Sequence, residues 1–394
     1  MDRESEYLLR LLGAYLREER PEPDSAVDWN KLTELARKHN VTGILGYMAT
    51  NWKLCPDPQL QCGLRMACLS TIASFANRGA MAEEFSRSLS ERGIDHIVMK
   101  GLVLRHLFPV PELRTFGDVD LVIRQEAREI CHELMLELGF GVKTDWEPVY
   151  TYVRGTEVYE IHTRIMEVDV SDKADCRPFF DRAWEHARRT EGHRFEFTPE
   201  FHFLYLLTHI AKHVTGRGAG IRMYLDVAAY LHRRGGELDW NRVERELENL
   251  GLSDFANTVL TLVGNCFGIA SPGVLKPLPE AVLADFLEFT MAGGIFGREG
   301  QTGGVHTLEQ ENRGTGEISK TGTLMKRLFP DAQSIQQRYT YLREKPWLLP
   351  VAWVHRLAVK KTGWREHTRE AREILAADKE TVRKLARFYR DIGL

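Results

Sequence analysis

Residues 96–123, HIVMKGLVLRHLFPVPELRTFGDVDLVI, decide how the chain is read. His96–Met99 is a short apolar run after the Gly93 stop, and Asp118–Ile123 is another that begins after Gly117; both read as strands. Between them, Leu102–Phe108 suits a short helix that Pro109 and Pro111 end. A strand that yields to a helix at Gly101 and a second strand that opens on two acids make a βαβ start, with charge at its mouth.

Working outward, Glu126–Leu138 is a helix stopped at Gly139. Strand signals return at Phe140–Lys143, Val149–Arg154 and Val158–Thr163, with a Gly155 turn between the last two. On the N-terminal side, Tyr7, Leu8, Leu11, Leu12, Tyr15 and Leu16 recur at helical spacing, and residues 5–90 read as helices punctuated by Pro21, Pro23, Pro56 and Pro58. Beyond Pro199 the pattern is helical again, through Phe201–Thr215, Met223–Arg234, Trp240–Leu250 and Phe255–Phe267. The expected fold class is α+β: a helical segment at 1–90, a mixed-sheet core at 91–197, and a helical domain at 198–394. The Gly-rich polar stretch between Gly293 and Gly316 is expected to pack into no element and to serve as a mobile loop or a lid.

Composition excludes several classes. With 43% hydrophobic and 28% charged residues the 394-residue chain reads as a soluble globular protein of two or three cooperating units. A net charge of -3 provides no global field for nucleic acid. The exception is the segment after Lys320, where Lys and Arg outnumber acids roughly two to one; Arg356, Lys360, Lys361 and Arg365, then Arg383, Lys384, Arg387 and Arg390, form either a solvated helix face or a docking surface for RNA or anionic lipid. The six cysteines show no CxxC pair and read as reduced thiols. The charged, amphipathic first residues do not resemble a signal peptide, and no run reaches the roughly 18 apolar residues that a spanning helix needs, so a cytoplasmic location without membrane partners is expected.

The chemistry lies in the acids. Residues two apart on a strand share a face, so Asp118 and Asp120 project together while Val119, Leu121 and Ile123 face a core. On the later strand, Glu160 shares a face with Val158 and His162. If the two strands are neighbours, three carboxylates converge; they repel one another unless a hard cation such as Mg²⁺ or Mn²⁺ neutralises them. The bland alternative is an exposed acid pair at a strand end. Lys100 and Gly101 sit where the strand yields to the helix, either as a phosphate cradle or as a plain turn with a snorkelling lysine. Arg114 has a phosphate, a carboxylate or simply the surface as its partner, and His162 is a phosphate contact or a satisfied core histidine. His202, His209 and His213 lie on one helical stretch and read mainly as packing residues, since no HExxH is present. Arg222 and Asp226, four apart, form a surface ion pair or wall the cleft, with Lys212 and Arg222 meeting the substrate.

MKGLVLRHLFPVPELRTFGDVDLVI with VYEIHTRI, then HIAKHVTG, MYLDVAAYL, LDW and RLFPDAQSIQQRYTYLREKPWLLPVAWVHRL, resemble the bacterial nucleotidyltransferase family of the DNA polymerase beta-like superfamily. The resemblance implies a polymerase beta-like core flanked by helices, with Asp118, Asp120 and Glu160 as metal ligands and Glu160 as the base. It implies nucleotide contacts at Lys100, Gly101, Arg114 and His162, and transfer of a nucleoside monophosphate from a nucleoside triphosphate, ATP included, by a two-metal mechanism with Mg²⁺ or Mn²⁺. The acceptor is a hydroxyl on a small molecule, a protein side chain or an RNA end. The superfamily's first turn usually carries Gly-Ser or Gly-Gly, where this chain has Lys100-Gly101. That departure raises a rival: a non-catalytic module that senses nucleotides or binds a partner. Neutralising Asp118 or Asp120 is expected to relieve repulsion and to leave stability unchanged or higher without metal.

Overall fold

The computed structural model describes residues 1–166, 170–216, 218–273, 275–293, 303–313, 318–336, 338–359 and 363–394. Helices α1 (Arg3–Leu16), α2 (Trp29–Lys38), α3 (Thr42–Asn51) and α4 (Pro58–Glu91) come first. Asp2, Asp28 and Asp57 cap the starts of α1, α2 and α4 with their side chains. Asp57 accepts from the backbone N–H groups of Gln59 and Leu60, and Pro58, which has no N–H to leave unpaired, occupies the first turn of α4.

β1 (His96–Val98), α5 (Gly101–Leu104), β2 (Val119–Ile123), α6 (Arg128–Glu137), β3 (Gly141–Thr144), β4 (Val149–Arg154) and β5 (Glu157–His162) follow. After α7 (Arg177–Phe180) the hairpin β6 (Ala187–Glu191) and β7 (Arg194–Phe197) completes a seven-stranded sheet of order β3-β4-β5-β2-β1-β7-β6. The sheet is mixed: β2 runs parallel to β5 and antiparallel to β1, while β7 is parallel to β1. The sequence pattern did not reveal β6 and β7, because ARRTE is exposed along almost its whole length and carries no alternation of apolar residues.

The remaining chain is helical: α8 (Pro199–Gly216), α9 (Ile221–Arg234), α10 (Trp240–Asn249), α11 (Ser253–Phe267), α12 (Glu280–Gly293), α13 (Gly303–Asn312), α14 (Lys320–Leu328), α15 (Ala332–Ile335), α16 (Leu349–Val359), α17 (Gly363–Ala376) and α18 (Lys379–Asp391). The fold is α+β with helical parts at both ends, and among the described residues no helix is long and apolar enough to cross a membrane.

Two cores flank the sheet, and β2 feeds both. Val119, Leu121 and Ile123 join Phe85, Leu89, Met135, Tyr159 and Ile161 on one face. Val122, on the other face, belongs to a larger core that runs from Tyr7 through α8, α9 and α11 to Leu394. Burial of each such aliphatic side chain contributes about 1.5–3 kcal/mol, so the register of β2 is strongly specified: a slip of one residue would turn Asp120 into a core and Leu121 out of it. The polar positions of β2 and β5 are thereby aimed at the face on which α8 and α9 lie.

The glycine-rich stretch departs from expectation. Residues 294–302 and 314–317 lie outside the described residues, but Gly303–Asn312 form α13, which packs on α17 and α18 with Val305 and Leu308 in the core. A Cβ at Gly304 would collide with the backbone of Glu373, so this glycine permits close helix approach rather than supplying mobility. None of the described residues of the stretch lines the cleft discussed next.

Candidate active site

Parallel pairing of β2 with β5 sets Asp120 opposite Glu160 and Val122 opposite His162. Asp118 precedes β2 by one residue, so period-two alternation keeps it on the side of Asp120. All four polar residues line a cavity of about 750 Å³ closed on its far side by α8 and α9. Lys100, Gly101 and Arg114 line the same cavity, and Trp146 and Glu147, from the loop between β3 and β4, line it too.

Asp120 is the hub. It is 2% exposed, and its Oδ1 receives both Lys100 Nζ at 2.6 Å and His162 Nε2 at 2.9 Å. An ionised carboxylate only accepts, so His162 donates through Nε2–H. Its Nδ1 is then buried with no hydrogen-bond partner. Burial alone would push the Asp120 carboxyl up, but the Lys100 ammonium and the His162 hydrogen bond outweigh it and hold the group well below the usual carboxylate range. For Lys100 burial opposes the charge, while Asp120, followed by Tyr205 and Asp118, raises its pKa.

The other two acids behave in the opposite way. Asp118 is pushed up first by the Asp120 charge and then by burial. Glu160 is pushed up first by burial and then by Asp120 and Asp118. His162 Nε2 stands 3.7 Å from Glu160 Oε2. Among the described residues, ligand atoms of Asp120, Glu160 and His162 all fall within 4.8 Å of one another and can hold a metal ion. His162 thus stands in this grouping beside two of the three acids singled out from sequence, with Asp118 lining the same cavity.

Lys100 holds its place through an unusual backbone. It caps α5 at φ 51° and ψ -121°, a region that costs a side-chain-bearing residue of order 1–3 kcal/mol. Gly101 follows because the turn is crowded: a Cβ there would lie 2.8 Å from Arg114 Nη1 and from Phe116 Cβ.

Arg114 and Asp226 join the sheet side to the helical side. Arg114 Nε donates to Asp226 Oδ1 at 3.0 Å and Nη2 to Oδ2 at 2.6 Å, with both side chains 7% exposed. Asp226 therefore pairs across the molecule and not with Arg222 on its own helix, as helical spacing had suggested. Arg222 instead donates to the carbonyl and the hydroxyl of Thr115, both at 3.1 Å. Burial and then the nearby Arg114 charge lower its pKa to about 10. Lys212, one turn from His209 and beside His213, also lines the cavity, and among the described residues neither it nor Arg222 has a carboxylate partner. His209 and His213 stack edge to face at 4.5 Å, and burial followed by the Lys100 charge keeps both neutral.

Sequence reasoning did not pick out Tyr205, which burial keeps in its phenol form beside Lys100, or His39 and Asn40, which reach the cavity from the end of α2. Tyr205 stacks on His209 one turn later, so its helical spacing was the available signal.

The class the fold and cleft define is an α+β protein with acids on adjacent parallel strands and cations lining the same cleft. Residues 25–268 match a family described as "Uncharacterised nucleotidyltransferase", and the chain belongs to that family. No curated protein and no solved structure matches the chain.

Proposed function

We propose that the protein transfers a nucleoside monophosphate from a nucleoside triphosphate to a hydroxyl-bearing acceptor, releasing pyrophosphate. The observation that carries this reading is the placement of Asp120 opposite Glu160, with Asp118 beside them, across a cavity from Lys212 and Arg222. Carboxylates on one wall, and on the other cations that among the described residues have no carboxylate partner, suit a ligand with several negative charges and a hard counter-ion.

The donor set supports a divalent cation. Asp118 and Glu160 are both raised in part by neighbouring negative charge, a deficit of cation that Mg²⁺ or Mn²⁺ relieves. Asp118, Asp120 and Glu160 would hold it, with His162 close by. Bound there, one or two such ions supply Lewis-acid polarisation of the reacting phosphate and a clamp on the attacking and leaving oxygens.

The chain's own groups divide the remaining work. Glu160, with a raised pKa and a partly buried side chain, accepts the proton of the acceptor hydroxyl. His162 orients Asp120 by donating to Oδ1. Lys100, the Gly101 turn, Lys212 and Arg222 receive the phosphates, and Arg114 serves by fixing the helical wall through Asp226. This division is the one the resemblance to the polymerase beta-like superfamily implies, with Lys100-Gly101 standing where that superfamily usually carries Gly-Ser or Gly-Gly.

The test is transfer of an α-labelled nucleotide, tried with ATP, CTP, GTP and UTP, to a metabolite, protein or RNA pool in the presence of Mg²⁺. Label should appear in an acceptor with wild type and fall by at least about 10²-fold in Asp120→Asn. Label that never leaves the nucleotide in any pool, together with no thermal shift on adding Mg²⁺ and nucleotide, would sink the proposal.

A further inference from the structure

We propose that the Lys100 ammonium is a resident counter-ion of Asp120 that competes with a divalent cation for this carboxylate, so that metal loads together with the nucleotide, whose phosphates draw the ammonium away. The inference rests on the nucleotidyl-transfer reading above and concerns the order in which that site is filled.

The geometry is specific. Lys100 Nζ lies 2.6 Å from Asp120 Oδ1, the oxygen that His162 also contacts at 2.9 Å. Two donors on one oxygen saturate its direct reach, and a divalent ion brought to that oxygen would stand against an ammonium at hydrogen-bond distance. The competition is built into the backbone: Lys100 sits at φ 51°, where glycine is the favoured residue, and yet the position carries a side chain whose end is the ion at Asp120.

Charge counting points the same way. Asp118, Asp120 and Glu160 carry three negative charges when ionised; Lys100 cancels one and leaves two, the charge of a single divalent ion. The cluster without ligand is therefore partly compensated. A triphosphate reverses the balance, because it brings several anionic oxygens into a cavity that Lys100 itself lines. The ammonium, on a flexible four-carbon arm with 18% of its side chain exposed, can exchange one carboxylate oxygen for phosphate oxygens and keep its charge throughout. Lys212 and Arg222 make no such exchange, because among the described residues no carboxylate holds them. Position 100 thus couples the two ligands: removing the ammonium should favour metal alone and weaken the dependence of metal on nucleotide.

The experiment is a Mn²⁺ titration followed by electron paramagnetic resonance, on wild type, Lys100→Met and Asp120→Asn, each alone and with a non-hydrolysable ATP analogue. Lys100→Met should bind Mn²⁺ alone at least about 5-fold more tightly than wild type, and the analogue should tighten Mn²⁺ binding less in the variant than in wild type. Equal or weaker Mn²⁺ binding by nucleotide-free Lys100→Met overturns the competition. If Asp120→Asn binds Mn²⁺ as well as wild type in every condition, the metal-site reading itself has failed, and the inference with it. Should Lys100→Met not fold, Nζ resonances of ¹⁵N-lysine-labelled wild type decide: the Lys100 signal should move on adding Mg²⁺ with the analogue and stay in place with Mg²⁺ alone, and the reverse pattern overturns the proposal.

Discussion

The two walls of the cleft carry opposite arrangements of charge. On the sheet side Lys100, Asp120 and His162 bond to one another, so that the most buried acid is compensated inside the protein. On the helical side Lys212 and Arg222 line the cavity with no carboxylate among the described residues, and Asp226, the one acid of α9 at the cavity, is spent on Arg114. The sheet wall is pre-organised, and the helical wall is left wanting an anion. Compensation within one wall and its absence in the other place the demand for negative charge on the helical wall.

The largest effect should come from separating the walls. Asp226→Ala leaves Arg114 buried without its bidentate partner, and urea unfolding should show a loss of about 3–5 kcal/mol. Replacing both residues, Arg114→Met with Asp226→Leu, should recover much of it, because no charge is then stranded. A loss under about 1 kcal/mol for Asp226→Ala would mean that the pair does not join the walls.

Within the sheet wall the acids should differ in sign. Asp120→Asn removes the charge that Lys100 and His162 share, and its stability in EDTA should fall by about 1–3 kcal/mol. Asp118→Asn removes a group whose carboxyl is pushed up by Asp120, and its stability in EDTA should be unchanged or higher. The expectation that both substitutions relieve repulsion is therefore kept for Asp118 and replaced by its opposite for Asp120, because Lys100 supplies a cation to Asp120. The pH dependence follows the same division. The depressed Asp120 contributes stability above the ordinary carboxylate range that is lost as pH falls through its folded value. The raised Asp118 contributes stability at low pH that is lost as pH rises through its folded value. The gain from Asp118→Asn should accordingly grow as pH rises above the ordinary aspartate range. Thermal melts that show equal shifts for the two variants would erase the distinction.

The smallest change in stability, within about 0.5 kcal/mol, is expected for Lys212→Gln, since among the described residues no hydrogen bond or ion pair holds this side chain. Its effect should appear in binding: KM for the nucleotide should rise about tenfold with kcat little changed, as befits loss of a charge-assisted contact. A normal KM would remove the helical wall from the phosphate site.

Local pattern by itself determined much of this protein. Alternation in GDVDLVI and VYEIH assigned the faces of Asp118, Asp120, Glu160 and His162, and the apolar periodicity of residues 5–90 and 199–267 marked the flanking helices. These readings rest on neighbours in the chain, where side-chain direction follows from backbone geometry alone. Partners brought together by packing were beyond its reach. Asp226 chose Arg114, 112 residues away, over Arg222 one turn away, and Lys100 turned to Asp120 instead of to solvent. Val305 and Leu308 found a core within a stretch whose glycines suggested looseness, because α13 packs against α17 and α18. Such choices depend on which of several possible partners a side chain meets once the cores on either side of the sheet have closed, and only the tertiary structure decides that.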